Sequence, residues 1–306
     1  MAASTVSTAF TEQYSALVYM LAQQKGSKLK ACVRNETVQN ARNAYFERLG
    51  TADVQEITTR HGDTPLNEIP HSRRRLTPVD YNTATLLDNA DQLKMLIDPK
   101  SPYAQSQAMS LGRQIDDTII AAVYADVATG QSGATSVSFA NDSRSMNGDG
   151  TITALGTLAS SGTETDITLA KILAMMNLFN EEDVDSDIPK YWCVSPREIQ
   201  IMLDIEELTS ADYVTIKALL QGKIESFMGF KWIWSNRLPL DAASSACTRT
   251  FAWAEDGLIL GTAESITSRI TERDDKNYSI QVYSEMSCGA IRLEGAKVHE
   301  ALMDLA

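Results

Sequence analysis

At 306 residues the chain exceeds the length over which a single core keeps growing, so two packed subdomains with extensions are expected. Its 43% hydrophobic content is ordinary for a globular chain, and no apolar run approaches the ~18 residues of a membrane span. A formal net charge of -13 argues against bulk attraction to nucleic acid, and the excess acid lies beyond residue 100, because residues 1–100 hold 12 basic and 11 acidic side chains.

The opening segment MAASTVSTAF lacks the charged and apolar regions of a signal peptide, so folding in a cytoplasm is expected. Residues 1–10 are small and polar and are expected to be disordered or ordered only by contact. From Thr11 to Gln24 a short amphipathic helix is expected, with Tyr14, Leu17, Val18 and Leu21 on one face and Gly26 as its stop. A lone amphipathic helix on an arm needs another surface to cover its stripe. From Phe46 to Asp88 a long two-stranded hairpin is expected. Asp53–Arg60 and Arg75–Leu87 are rich in Thr, Val, Ile and Tyr, and the turn-dense HGDTPLNEIPHS lies between them. The hairpin has few large apolar residues and cannot stabilise itself in water, so its support is expected from a neighbouring subunit.

Two prolines, Pro99 and Pro102, precede a spine helix expected over 102–129, with Ser101 as N-cap, Pro102 at the first helical position and Gly130 as the stop. Ala104, Ala108, Leu111, Ile115, Ile119 and Ala122 recur at three- and four-residue steps, and Ile120, Val123 and Val127 widen the stripe. This stripe should face its own sheet. The other face, with Arg113, Asp116 and Asp117, should meet an enclosed interior or a neighbouring subunit. A Gly, Ser, Thr and Asn-rich excursion with a short hairpin follows to Thr165. A helix capped by Asp166 or Thr168 then presents Leu169, Ile172, Leu173, Met176 and Phe179 on one face. Tyr191–Val194 reads as a buried strand, and Ser195, Pro196 and Glu198 form a capping box with proline at the first helical position. A further helix is expected at Ser210–Gln221 ahead of Gly222, then a strand at Phe230–Ser235 between Gly229 and Pro239. Strands follow at Phe251–Ala254, Leu258–Leu260, Ile266–Glu272 and Tyr278–Met286, and Ala290–Leu305 is open between strand and helix.

Chemistry-bearing patterns are sparse. Ser145–Gly156 has the centre of a calcium loop (Asn147, Asp149, Gly150, Ile152), but Ser145 and Gly156 stand where the terminal carboxylates belong, so a polar hairpin turn is expected and no metal is assigned. The acidic run Glu181, Glu182, Asp183, Asp185 and Asp187 reads as a solvated helix end. His61, His71 and His299 are the only histidines, and none stands beside a recognisable nucleophile. GxGxxG, GxxxxGK[ST] and HExxH are absent, so neither a cofactor nor catalysis is assigned. Cys32, Cys193, Cys247 and Cys288 form no CxxC pair and read as buried reduced thiols. Arg73, Arg74 and Arg75 are the sharpest charged feature. On a strand Arg73 and Arg75 point one way and Arg74 the other, and in an acidic protein their expected partner is a carboxylate on another copy. Nucleic acid and a solvated face remain the alternatives.

These pieces, in this order, resemble the major capsid proteins of tailed bacteriophages, the Hong Kong 97 (HK97-like) fold. The matching segments are LAQQKGSKLK (Leu21–Lys30), the DTP and arginine stretch (Asp63–Arg75), RQIDDTIIAAV (Arg113–Val123) and GKIESFMGFKWIWSNRLP (Gly222–Pro239). The resemblance implies an α+β fold with an N-terminal arm at 1–45, an extended E-loop hairpin at 46–88, and part of a P-domain with the spine helix and polar excursion at 89–165. An A-domain at 166–260 would follow, then C-terminal strands at 261–306 returning to the P-domain. Tyr14, Leu17, Val18, Leu21, His61, Asp63, Arg73, Arg74 and Arg75 then become inter-subunit contacts. Pro102, Gly130, Ser195, Pro196, Glu198, Gly222, Gly229 and Pro239 are structural.

The function implied is mechanical: hexamers and pentamers of this chain close an icosahedral shell around double-stranded DNA that is held without sequence-specific contacts. Portal and scaffolding proteins are the expected partners, no membrane is involved, and the virion is assembled in the bacterial host cytoplasm. Some relatives cross-link a loop lysine to a neighbour's asparagine. No lysine lies between Lys30 and Lys94, so a non-covalent shell is expected. The start of the chain lacks a long charged helical extension, which points to a separate scaffolding protein. Two alternatives remain, an encapsulin-like compartment shell and a soluble α/β enzyme.

Overall fold

The computed structural model describes residues 23–39, 41–60, 62, 66–88, 100–159, 165–204, 226–241 and 247–304. The expected helices at Thr11–Gln24 and Ser210–Gln221 lie outside the described residues, apart from Gln23 and Gln24, which are not helical. The chain divides into two units: one takes Met1–Gly26, Tyr81–Arg113 and Ile266–Met286, the other Ser27–Asp80, Gln114–Ser265 and Ser287–Ala306. Helix α1 (Lys100–Tyr124) and strands β12 (Leu258–Arg273) and β13 (Ser279–Arg292) contribute to both.

In the smaller unit the first half of α1 lies against β13 and β4 (Val79–Leu87), with Leu87, Ile280 and Val282 buried and Tyr103 and Ala104 packed on them. Gln107 is buried in the same layer, where an unpaired amide would cost free energy. Its Nε2 donates to Thr85 Oγ1 at 3.0 Å and to the Val282 carbonyl at 3.1 Å, and its Oε1 accepts from Ser284 Oγ at 2.9 Å. One side chain thereby ties the helix to two neighbouring strands. Pro102 is the third residue of α1, not the first as the prolines suggested; in the first turn its missing N–H breaks no helical bond.

The larger unit is built on a six-stranded sheet in the order β7-β14-β11-β8-β10-β9. Its strands are β7 (Ser145–Met146), β8 (Lys190–Val194), β9 (Ser226–Phe227), β10 (Phe230–Trp234), β11 (Cys247–Ala254) and β14 (Val298–Asp304). Every residue of β8 is buried, as its unbroken apolar run implied for a central strand. Ile172, Met175 and Phe179 of one helix (Leu169–Glu181) and Met202 of another (Pro196–Asp204) pack on Trp192, Phe230 and Met303. The first of these helices starts as expected, with Thr168 accepting from the Lys171 amide. The second starts at its capping box: Ser195 Oγ donates to Glu198 Oε2, and burial raises the Glu198 carboxyl above its ordinary value. Gly229 has φ +79 and Met228 φ 51, the pair of left-handed residues that a two-residue hairpin needs between β9 and β10. The Pro239 carbonyl accepts from the Arg249 amide at 2.9 Å, tying the chain after β10 to β11.

Several expected boundaries move. The spine helix stops at Tyr124, not 129, because Val127–Thr129 forms β5 and pairs with β6 (Thr135–Val137) and with β3 (His71–Leu76). Arg292 closes the helix end by donating to the carbonyls of Val123 and Ala125, a cation placed at the negative end of the dipole. Gly130, expected as the helix stop, instead shapes the β5–β6 turn with φ +89, and its carbonyl accepts from Gly133 N. Leu258–Leu260 and Ile266–Glu272 belong to the single strand β12, whose start pairs in parallel with β1 (Arg34–Thr37). Of the open stretch Ala290–Leu305, the described residues 290–304 hold the end of β13, a 3-10 turn and β14. Ser145–Gly156 holds the expected turn: Asn147 N donates to the Thr151 carbonyl, and Asp149 accepts from the Thr151 amide at 2.8 Å. Cys193, Cys247 and Cys288 are buried as expected, while Cys32 is only half-buried.

His299 on β14 is 0% exposed and lies edge-on to Phe179, ring centroids 4.8 Å apart. Burial, helped by the charge of Arg144, lowers its pKa from 6.5 to about 4. Between those values the unfolded chain binds a proton that the native chain refuses, so stability is full above pH 6.5 and falls as pH drops to about 4. At ~1.36 kcal/mol per pKa unit this one group accounts for about 3 kcal/mol. The His299→Leu variant is expected to lose about 2–3 kcal/mol less than the parent between pH 7 and pH 4.5 in urea denaturation. Parallel losses in the two proteins would refute this.

Candidate functional site

The hairpin between β2 (Ala44–Leu49) and β3 is the candidate site. The two strands pair antiparallel from Ala44↔Leu76 to Leu49↔His71. Above them Gly50 N donates to the Pro70 carbonyl at 2.8 Å, and Asn67 Nδ2 donates to the Asp53 carbonyl at 2.7 Å, so the chain leaves the sheet as an extended double run. The expected strand at Asp53–Arg60 does not form: all eight residues are exposed and none is assigned to a strand. Their β propensity finds no face to pack on, and propensity in strands is mostly packing. The expected second arm divides into β3 and β4, with β4 beside β13 in another sheet. Val54, Ile57 and Leu66 on the loop are 97%, 90% and 95% exposed. Isolated exposed apolar residues are common, but three on one loop, each almost wholly in water, are not explained by this chain's own packing.

The base of the hairpin is fastened from below. Ala44, Phe46 and Leu76 pack with Val38, Val127, Ile259 and Ile291. In the same layer Arg74, 1% exposed, donates to Asp142 through two nitrogens, Nη1 to Oδ2 at 3.0 Å and Nη2 to Oδ1 at 2.6 Å. Arg292 Nε adds a third bond to Oδ2 at 2.8 Å. Burial by itself would raise the Asp142 carboxyl, but the hydrogen bonds and charges of the two arginines outweigh it and hold the pKa below the ordinary 3.8. Asp142 ends the short helix α2 (Phe139–Asp142). Gly295 passes so close that a Cβ there would lie 1.8 Å from the Asp142 carbonyl oxygen. Arg48 on β2 donates to the Leu293 carbonyl at 3.0 Å. Hairpin, α2 and the end of β13 are thus pinned at one carboxylate.

Arg74 therefore corrects the expected inter-subunit role: its side chain is consumed inside its own chain. The predicted alternation holds, with Arg73 and Arg75 on the opposite, partly exposed face. There Arg73 pairs with Glu47 and Arg75 donates to the Ser132 carbonyl at 3.4 Å. Register places Tyr45 beside Arg75, Glu47 beside Arg73 and Leu49 beside His71, with Tyr45 40% and Leu49 68% exposed. Tyr14, Leu17, Val18, Leu21, His61, Asp63 and Gly222 lie outside the described residues.

The polar face of α1 is a second correction. Asp116 is 1% exposed and accepts from Lys28 N and Leu29 N at 3.1 Å as well as from Ser27 Oγ. Asp117 pairs with Arg237, and Arg113 Nη1 donates to Gln23 Oε1 at 2.8 Å. Asp116 is thereby used up inside its own chain, while Arg113 and Asp117 stay partly exposed. Sequence reasoning missed Asp142 and Arg292. Their only local trace is Asp142 at the end of a polar tract and a lone arginine in an apolar strand, SCGAIRL.

A family model described as phage capsid protein matches residues 6–304. No curated protein sequence matches the chain. Among solved structures, the capsid of cyanophage P-SCSP1u is similar over 98% of this chain and 95% of its own, with 14% identity and a TM-score of 0.74. The cyanophage Pam1 capsid aligns over 99% and 98% at 13% identity, TM-score 0.71. The acidic stable capsid of Helicobacter pylori bacteriophage KHP30 aligns over 98% and 96% at 8% identity, TM-score 0.72. At these identities the structural matches speak to the fold.

Proposed function

Because the chain belongs to the phage capsid protein family, we propose that the hairpin loop is the element by which one copy grips the next in the shell. The chain is a major capsid protein with the HK97-like fold, a structural component of the virion that associates with itself. The family match favours the phage shell over the compartment shell and the soluble enzyme. The observation that carries the proposal is the loop itself, whose Val54, Ile57 and Leu66 are each 90% or more exposed and are covered by none of the described residues. Covering them in an assembly would recover roughly 1.5–3 kcal/mol for each fully buried side chain, and each copy contributes one such grip, so weak contacts add up around a closed shell.

Residues 1–45 act as an arm, 46–88 as the E-loop, 89–165 and 261–306 as the P-domain and 166–260 as the A-domain, around whose tips hexamers and pentamers form. The shell encloses double-stranded DNA without reading it, assembles in the host cytoplasm with portal and scaffolding proteins, and performs no catalysis. It is held non-covalently, since the loop offers no lysine amine between Lys30 and Lys94.

The test is assembly of the purified chain followed by electron microscopy. The triple variant Val54→Ser, Ile57→Ser, Leu66→Ser is expected to keep the unassembled chain's stability within about 0.5 kcal/mol, as surface changes do, while shells disappear or need at least about tenfold more protein. Shells formed by the variant at the parent's concentration would sink the proposal.

A further inference from the structure

We infer that the amphipathic stripe of Thr11–Gln24 docks within its own chain, on the face of β12 beside α1 where Ile266 and Ile270 stand exposed. The inference goes beyond the capsid reading and does not depend on it. Which way that face points follows from a chain of side-chain contacts. Gln107 of α1 accepts from Ser284 Oγ of β13 at 2.9 Å, and Ser284 Oγ lies 2.8 Å from Ser268 Oγ of β12. Ser268 therefore points to the side of the sheet that carries α1. Side chains two apart on a strand share a face, so Ile266 and Ile270 point there as well. The residues between them face away, where Arg269 pairs with Glu285 and Arg273 Nη1 donates to Gln281 Oε1 at 3.0 Å. Helix α1 packs over β13 and β4, with Tyr103 and Ala104 on Leu87, Ile280 and Val282, and leaves Ile266 37% and Ile270 49% exposed. Beyond Thr262 no further strand pairs with the outer edge of β12 among the described residues. The result is an apolar ledge alongside α1.

The occupant is named by where its end is held. Of the segment Thr11–Gln24 only Gln23 and Gln24 are described, and both are fastened to α1: Arg113 Nη1 donates to Gln23 Oε1 at 2.8 Å and to the Gln24 carbonyl at 3.3 Å. Upstream lie Tyr14, Leu17, Val18 and Leu21, the stripe of a helix too short to stand alone in water. The lengths agree, since Tyr14 to Leu21 spans about 10 Å of helix and Ile266 to Ile270 about 13 Å of strand. A segment tethered this closely meets its own ledge at an effective concentration far above that of another copy. That favours the chain's own ledge over the neighbouring subunit expected from the sequence. Docked there, the segment places a second helix beside α1 on one face of the sheet, the ordinary way such a face is closed.

The test is the substitution Tyr14→p-benzoylphenylalanine in the full chain, irradiated in a mixture of light and heavy isotopic copies before and after assembly. The crosslink is expected on a peptide holding residues 266–270, light joined to light and heavy to heavy. Crosslinks that join light to heavy copies, that map elsewhere in the chain or that do not form overturn the inference, and shells that still assemble leave the capsid reading intact. An independent arm follows chymotrypsin cleavage between residues 14 and 21 of the unassembled chain. Ile266→Ser with Ile270→Ser is expected to speed it about tenfold, because cutting tracks the population of the undocked segment. Val54→Ser, on the hairpin loop, is expected to leave the rate unchanged. Equal rates in the parent and the ledge variant, or the same rise in the Val54→Ser control, also overturn the docking.

Discussion

The Asp142→Asn variant is expected to lose about 3–5 kcal/mol of the unassembled chain's stability at neutral pH. The carboxylate stands between two arginines that are 1% and 0% exposed, and it is the only ion-pair partner given to either among the described residues. An asparagine of the same shape accepts fewer of the three hydrogen bonds and leaves two buried cations uncompensated. The cost is mainly this exposed imbalance and not the worth of the intact triad. Replacing Asp142, Arg74 and Arg292 together by apolar residues is accordingly expected to cost less than removing the carboxylate alone. The acid dependence has a definite sign. The native pKa lies below the ordinary 3.8, so the contribution is fully present above that value and is lost as pH falls through the lower native one. Denaturation by guanidinium at pH 7 and pH 3 measures both effects, and limited proteolysis between Leu49 and His71 reports whether the hairpin base has come loose. A loss below about 1 kcal/mol at pH 7 would mean the triad does not fasten the hairpin base.

The second large effect is expected in the sheet core. Trp192 is 0% exposed, stacks on Trp232 at 5.0 Å between centroids, meets Phe230 edge-on at 5.4 Å and donates from Nε1 to Thr250 Oγ1 at 3.2 Å. Trp192→Ala should cost about 3–5 kcal/mol, the range for aromatic truncation in a core. Thr250 keeps its own bond to the Ala301 carbonyl at 2.8 Å, so the stranded hydroxyl adds little and the cavity dominates. Trp192→Phe, which keeps a ring in the stack, is expected to lose less than half as much. Equal losses for the two variants would show that the indole hydrogen bond, not the packing, matters most.

Physical periodicity explains which elements were legible. Leu111, Ile115, Ile119 and Val123 repeat at the helical step, and the structure buries all four. The capping signals at Thr168 and Ser195 are local chemistry within three residues of their partners, so they read correctly without any tertiary knowledge. The end of α1 was not legible. It depends on Arg292, 169 residues from the Val123 carbonyl it caps, and on β5 finding partners in β3 and β6. The supposed strand at Asp53–Arg60 shows the converse, since residues with strand propensity stay irregular where no neighbouring strand is offered.

The arginine cluster draws the line most clearly. Alternation along a strand already placed Arg74 opposite Arg73 and Arg75, because successive side chains on a pleated backbone point to opposite faces. Which face would be buried was decided only by the tertiary structure. Asp142 lies 68 residues away in sequence and Arg292 218. Burial of a guanidinium is tolerated only where a carboxylate arrives in bidentate geometry. Residue order alone settles local matters: helix and strand periods, caps, turns, and a hairpin with too few apolar residues to stand alone. Only the folded chain brought one carboxylate between two arginines distant in sequence, fastening the hairpin's base and leaving its loop in solvent.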